Sequence, residues 1–422
     1  MSNEPSLSGA RSSGGALAPF GYPAFRAIWS ANLFSNIGSV MQAVAAGWLM
    51  TELTDRHLLV ALVQASSTIP ILLLGILAGA IADNFDRRLV MLWAQSLMLV
   101  VSAVLSVLGY LGAITPWSLL VLTLMVGMGT ALNGPAWQAS VRTQVDRGDL
   151  PQAISLNAIA FNLARSLGPA LGGIVISIWS VNMAFALNAV SYLSMIVVLS
   201  RWRPVVPVPT REPIGPAIMA GVAFCMESGP ILRVLLRGLV FGFGAAGFQA
   251  LMPVAVRQLL HGNQIDYGLV LGAFGLGSVI SAIWVSAIRR RFGAEAVVSA
   301  GTAAYALAML LLSLSHGLTP ALAAGFIAGS GWVSTMTSLN VAMQLRSPEG
   351  ILARCLSIYQ SIVFGGFSLG AWAFGILADH GGLVLSMRMS ALWLALTLVL
   401  RFLAPMPARE EGRIEPEEST HA

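Results

Sequence analysis

Arg165 stands in the middle of a long apolar run that begins at Ala153, in a chain where such runs dominate. At the helical rise it lies about 20 Å from the start of that run. Holding an arginine there costs about 2.5–3.5 kcal/mol in a bilayer, so its guanidinium must face protein or water. Two readings follow. It is either a cavity cation that attracts an anionic substrate or assists coupling, or a structural cap on carbonyls freed by Pro169, with Asn162 as a partner. The carboxylates Glu52, Asp55, Asp83, Asp266 and Asp379 all fall at the edges of apolar runs or in loops. Glu52, near the end of the first run, is the candidate proton carrier, with an interfacial charge as its alternative. His57, His261, His316 and His380 fall in connecting loops and His421 in the tail. No His-x-x-x-His or Cys-x-x-Cys spacing offers a metal site, and no Ser–His–acid set converges. The chain has 23 basic residues and every one is arginine. A phosphate loop needs a lysine, so ATP hydrolysis by this chain is excluded. The expected chemistry is binding and movement rather than catalysis, with no cofactor and no metal.

The elements that must position these groups are membrane helices. The chain is 56% apolar and 10% charged, with mean hydropathy +0.79, far from the soluble range. A spanning helix needs roughly 20 mostly apolar residues, and the runs give twelve. They are Arg26–Met50, Leu58–Ala82, Leu89–Tyr110, Pro116–Val141, Ala153–Trp179, Val181–Ser200, Val234–Leu260, Tyr267–Ile288, Ala296–Ser315, Leu318–Leu345, Leu356–Ala378 and Leu383–Leu403. The fold class expected is an all-α integral membrane protein. Every arginine except Arg56, Arg257, Arg165 and Arg388 then falls on one side of the bilayer. The positive-inside rule makes that side cytoplasmic, with both termini on it. The pI near 9.8 therefore reports loops facing anionic lipid heads, and no nucleic acid is expected as a partner. Arg388, near the outer end of its run, can snorkel to the interface. Cys225 and Cys355 map to the cytoplasmic side, where a structural disulfide is not expected.

The runs divide six and six. Residues 1–19 read as a disordered cytoplasmic tail without the apolar core of a cleavable signal, and 20–200 as the first bundle. Residues 201–232 form a proline-rich cytoplasmic linker, within which Ala217 to Met226 is either an interfacial helix or a spacer. Residues 233–403 form the second bundle and 404–422 an acidic cytoplasmic tail. Sliding the sequence by 202 residues puts Gly75 on Gly277, Arg87-Arg88 on Arg289-Arg290, Gly127 on Gly329, Ser166-Leu167-Gly168 on Ser368-Leu369-Gly370 and Gly173 on Gly375. Two pseudo-symmetric six-helix bundles descended from one unit are expected, with a binding cavity between them near mid-membrane.

Gly79 to Arg88 reads Gly-Ala-Ile-Ala-Asp-Asn-Phe-Asp-Arg-Arg and joins the second and third runs. Gly79 lets backbones approach, Asp83 is placed to meet a helix N-terminus or Arg142, and Arg87 and Arg88 anchor the turn or simply set topology. This stretch resembles the signature loop of the major facilitator superfamily, departing from it at Asn84 and Asp86. The aspartate at 86 is similar to the branch that contains enterobactin exporters and macrolide efflux proteins, the transmembrane secretion effectors. The stretch Gly127 to Ala139 resembles the fourth helix of that branch. Asn157 to Gly173 resembles the antiporter motif of the fifth helix through Gly168, Pro169, Gly172 and Gly173, next to Arg165, although Ala164 replaces an expected glycine.

The resemblance implies that the loop, with Gly79, Asp83, Arg87, Arg88 and Arg142, latches the halves together in the outward-facing state. It also implies that the first, fourth, seventh and tenth helices line the cavity. Candidates there are Asn32, Asn36 and Ser39 on the first, and Thr130, Asn133, Gly134, Trp137 and Gln138 on the fourth. Gln249 on the seventh, Ser334, Ser338 and Asn340 on the tenth, and Tyr359 and Gln360 on the eleventh complete the set. Each also serves as interhelical hydrogen-bonding glue in the alternative reading. The function implied is a monomeric secondary transporter in the cytoplasmic membrane of a bacterium, exporting a small organic molecule by alternating access with proton coupling. An importer, a lysophospholipid flippase and a non-transporting membrane sensor or accessory protein are the alternatives.

Overall fold

A computed structural model describes residues 17–203, 214–348 and 351–407, with the side chains of Asp83, Arg147, Ile214 and Ala217 outside that description. Among the described residues the long elements are all helices: α1 (Pro23–Leu53), α2 (His57–Asn84), α3 (Arg87–Tyr110), α4 (Pro116–Ser140), α5 (Leu150–Ile178) and α6 (Val181–Arg201). There follow α7 (Ile214–Glu227), α8 (Gly229–Gln258), α9 (Gln264–Ser313), α10 (Leu318–Gln344), α11 (Leu352–Gly381), α12 (Leu383–Thr397) and the short α13 (Leu400–Leu403). Their starts are written in the sequence. Proline occupies the first turn of α1, α4, α5 and α8, where its missing N–H costs nothing. Thr115 with Ser118, and Asn263 with Asp266, form reciprocal caps on α4 and α9, satisfying donors that the helix itself leaves free.

Among the described residues ten helices are long and apolar enough to cross a membrane. Two adjustments bring the crossings to twelve. The 50 residues of α9 break at Gly293, whose φ of 85° and ψ of 165° are not helical. Glycine adopts that conformation readily, so residues 264–292 and 294–313 run as two antiparallel limbs, matching the two runs expected there. The other adjustment is α10, which is absent from those ten although its 27 residues reach about 40 Å at the helical rise. Its serines, threonines, Asn340 and Gln344 lower its hydropathy, and of these Ser330 and Ser334 bond the first limb of α9.

The duplication seen in the sequence is repeated in the packing. A Cβ at Gly127 would lie 3.0 Å from backbone oxygens of Ser66 and Ser67 on α2. At its partner position, Gly329, a Cβ would fall on the carbonyl of Phe274 on the first limb of α9, the duplicate of α2. Gly168 packs on Val40 of α1, and its partner Gly370 on the Phe243 carbonyl of α8. Gly173 and Gly375 do the same across the boundary between halves, Gly173 on Gln264 and Gly268 of α9, and Gly375 on Leu58 and Ala61 of α2. Two antiparallel seams therefore join the bundles, α2 with α11 and α5 with the first limb of α9. Within the second half the core is a ring cluster of Phe241, Phe248, Tyr305, Trp332 and Phe367.

One segment differs from expectation. Residues 404–407, assigned to the tail, are seated in the second half: Ala404 and Met406 are buried, and Arg237 donates to the Ala404 carbonyl at 2.9 Å. Glu295 pairs with Arg237 at 2.9 Å and accepts from the Met406 N–H at 2.7 Å. A nearly buried arginine needs such a partner, and the tail backbone supplies its remaining acceptor. Residues 408–422, like 1–16 and 204–213, lie outside the described residues. Helix α7 covers the run read as helix or spacer, and packs its buried Cys225 beside the buried Cys355 at the start of α11. Both cysteines are free thiols.

Candidate functional site

At the arginine-rich end the signature loop is a capping device within the first half. Asp86 accepts from the Arg88 N–H at 2.9 Å and starts α3, which accounts for an aspartate at this departure from the motif, since aspartate is a favoured N-cap. Arg87 donates to the carbonyls of Ala82 and Ala139, at the ends of α2 and α4. Arg88 donates at 2.7 and 2.8 Å to Leu199 and Ser200, at the end of α6. Three helix C-termini, with their unsatisfied carbonyls and negative dipole ends, converge on two arginines. Gly79 faces the second half, 3.4 Å from the Ser357 hydroxyl when a Cβ is built on it. Arg142 is exposed, and the side chain of Asp83 lies outside the described residues.

At mid-membrane, Arg165 is half-buried on α5, its guanidinium 5.8 Å from the Phe161 ring centroid. Neither hydrogen bond of the structural reading is made. The Asn162 amide donates instead to Ala158, and no carboxylate among the described residues pairs with Arg165. The arginine lies within electrostatic reach of the Tyr305 hydroxyl in the other half. That hydroxyl donates to the Ala245 carbonyl at 3.1 Å and meets the side chain of Gln249. Arg165 and Gln249, both singled out in the sequence, are thus brought to one place together with Tyr305, which was not. Its signal was faint: a tyrosine in an otherwise aliphatic run. Just outward of this cluster the halves touch backbone to backbone, where a Cβ on Gly275 would lie 2.5 Å from the Arg165 carbonyl.

The remaining cavity candidates scatter. Asn36 lies on the face of α1 that, three turns later at Gly47, meets Tyr267 and Pro253 of the other half; Asn32 is buried one turn before it. Ser39 bonds Tyr192 of α6. Thr130 and Asn133 turn to α3, bonding Met98 and Gln95, and Trp137 packs on the cluster that holds Ile28, Met91 and Met195. Ser334 bonds Ser281 of α9 at 2.8 Å, Asn340 accepts from Gln344 and Tyr359 donates to the Met336 carbonyl. The buried hydroxyls of Thr335 and Ser338 have no partner among the described residues.

The arginine-poor end is sealed across the halves. His57, at the start of α2, places Nδ1 3.1 Å from the Ala378 carbonyl and Nε2 3.1 Å from Gln258 Oε1. Asp379 accepts from the Leu58 N–H at 3.2 Å and lies 3.6 Å from His57, with Arg56 at 3.9 Å. A cavity of about 360 Å³ lined by Thr51, Asp55, His57, Arg257, Gln258 and His261 opens outward of this contact. Glu52 stands at the same end, accepting from the Trp48 indole at 2.7 Å, beside a second cavity of about 360 Å³. No group of three or more metal-ligating residues occurs among the described residues.

Comparison with known proteins agrees with this architecture. A family model described as transmembrane secretion effector matches residues 14–422. The chain is 22% identical to the staphyloferrin A transporter of Staphylococcus aureus, over 93% of this chain and 98% of that protein. It is 24% identical to the multidrug efflux pump Tap of Mycolicibacterium fortuitum, over 88% and 92%, and 26% identical to the enterobactin exporter EntS of Salmonella typhimurium, over 84% and 85%. Among solved structures, the nucleoside transporter NupG aligns with a TM-score of 0.75 at 12% identity, covering 90% of this chain and 98% of that one. A bacterial homologue of the lysosomal transporter Spinster also gives 0.75, at 14% identity and with 94% and 99% covered. These two share the fold.

Proposed function

The chain belongs to the transmembrane secretion effector family of major facilitator transporters, and from that premise we propose that it exports a small organic molecule by alternating access. It is a multi-pass membrane transporter of small molecules, not an enzyme. The observation that supports the mechanism is the placement of one polar cluster, Arg165–Gln249–Tyr305, between duplicated halves whose arginine-poor end is shut, and the outward direction is supported by the efflux and export names of the relatives. By the arginine distribution that end is outer and both termini are cytoplasmic, and in this reading the cluster is reached from the cytoplasm. Substrate enters from there, and the halves rock about the α2–α11 and α5–α9 seams. The outer contacts then part and the substrate leaves. Small residues along both seams suit sliding of helix on helix.

A proton gradient drives the cycle in this reading, with Glu52 as the candidate carrier and Asp83 with Arg142 completing the inner latch in the outward-facing state. The siderophore, drug and macrolide cargoes of the relatives set the class of molecule to try. The protein acts as a monomer in the cytoplasmic membrane of a bacterium and engages no nucleic acid. The experiment is dye or siderophore movement in right-side-out vesicles and in cells. Export predicts efflux that an uncoupler abolishes and ATP depletion spares. Net uptake supports an importer, and no movement of any cargo supports a sensor.

A further inference from the structure

Among the described residues the central arginine lacks a counter-charge, and that points to a partner the cargo would bring. Glu52, Asp55, Asp266 and Asp379 lie at the sealed end, and Glu295 is already held by Arg237. The acids Asp86, Asp146 and Asp149 sit at the arginine-rich end, where Asp86 caps a helix and the other two hold Tyr22. Arg165 has neither an acid nor a hydrogen-bond acceptor among the described residues, only the face of the Phe161 ring one turn earlier.

The fold does not ask for a cation there. The duplicate position, 202 residues on, is Phe367, 2% exposed and stacked edge-on against Trp332. A position that packs an aromatic ring in one half carries a charge in the other, at the innermost point of the seal between them. A half-buried guanidinium at membrane depth with no counter-charge is destabilising, and its planar fork matches the two oxygens of a carboxylate or a similar acidic group. Gln249 stands across the boundary, half-buried, its amide able to bond neutral parts of the same molecule, while Tyr305 is buried beside it with its hydroxyl held by Ala245.

We propose that Arg165, with Gln249 across the boundary, is the recognition site for an acidic group on the cargo, so that the exported molecule is an organic anion. The inference rests on the export reading and sharpens it. Binding brings the counter-charge, and the arginine-rich vestibule raises the local concentration of anions on the loading side.

The test separates a functional from a structural arginine. Replacing an unpaired charge with an apolar side chain of similar length removes a cost, so Arg165→Met raises Tm in detergent, as expected when a residue serves function at the expense of stability. A fall in Tm overturns the proposal, since it would mean the guanidinium holds the fold. In the same vesicles, efflux of carboxyfluorescein is lost by about tenfold or more in Arg165→Met and Arg165→Gln and partly kept in Arg165→Lys. Undiminished carboxyfluorescein efflux in the Arg165→Gln vesicles overturns the anion site while leaving export standing. Carboxyfluorescein that binds the detergent-solubilised protein through Arg165, yet never crosses the membrane, sinks export and keeps the site. Transport of the cation ethidium in preference to carboxyfluorescein by the unmodified protein also overturns it.

Discussion

Single side chains here are engaged by geometry that a linear reading reaches only in part. Arg87 and Arg88 were visible as a pair, but not as the caps of three helices, because their acceptors lie on α4 and α6. Asp86 is the reverse case, since an Asp just ahead of a helical run is a readable N-cap. Asp86→Ala should lower stability by about 1 kcal/mol without altering cargo affinity, measured as a drop in Tm with unchanged binding. Tyr22 was not singled out at all. Its phenol lies 2.9 Å from a carboxylate oxygen of both Asp146 and Asp149, tying the start of α1 to the loop before α5. The hydrogen bond to Asp146, then that to Asp149, hold the phenol's proton and push its pKa up to about 12, against about 10 in an unfolded chain. The sign follows from linkage. The protonated phenol is the bound form, so the clamp's contribution is complete below about 10 and vanishes as pH rises through about 12. Difference absorbance of phenolate between the unmodified protein and Tyr22→Phe should show this tyrosine ionising near 12, and near 10 in Asp146→Asn/Asp149→Asn.

Helices are the scale at which the sequence was most legible. Apolar runs located the spans, and the matched pairs Gly127/Gly329, Gly168/Gly370 and Gly173/Gly375 fall at equivalent seams in both halves, because close packing fixes where no Cβ fits, whereas Gly75 packs on α11 and its match Gly277 on α10. Polar positions on α4 and α10 were less legible: periodicity shows which share a face, not whether that face meets a cavity or a neighbouring helix. The packing argument makes a contrast testable. A side chain at Gly329 would collide with the Phe274 carbonyl, so Gly329→Val should force α10 from α9 and lower the folded yield in membranes severely. Gly134 has nothing within 4 Å of a built Cβ, and Gly134→Ala should stabilise α4 by up to about 1 kcal/mol, the propensity difference. Equal losses in both variants, read as Tm and yield after purification, would refute the seam argument.

The whole molecule is held shut at one end by residues that sequence placed in separate loops. His57 and Asp379 are 322 positions apart, so only folding of both halves shows that they meet. Closure there combines the His57 contacts to Ala378 and Gln258 with the Leu58 N–H on Asp379 and the tight fit of Gly375 on Leu58 and Ala61. Hydrogen bonds of this kind contribute about 0.5–1.5 kcal/mol each, more where a charge takes part, and 1.4 kcal/mol is a tenfold change in a two-state equilibrium. Because these contacts exist only while the outer end is closed, removing them destabilises one state and leaves the other untouched. His57→Ala/Asp379→Ala should therefore move the resting population toward outer opening by about tenfold or more without loss of fold. Spin labels at Trp117→Cys and Leu314→Cys, both exposed near the outer ends of the two halves, with Cys225 and Cys355 replaced by serine, report that separation by pulsed electron paramagnetic resonance. A longer distance should grow in at the expense of the short one, and the single variants should each give an intermediate shift. If the double variant keeps only the short distance, closure rests on the glycine seams alone, and the rocking motion has its hinge and its lock in the same helices.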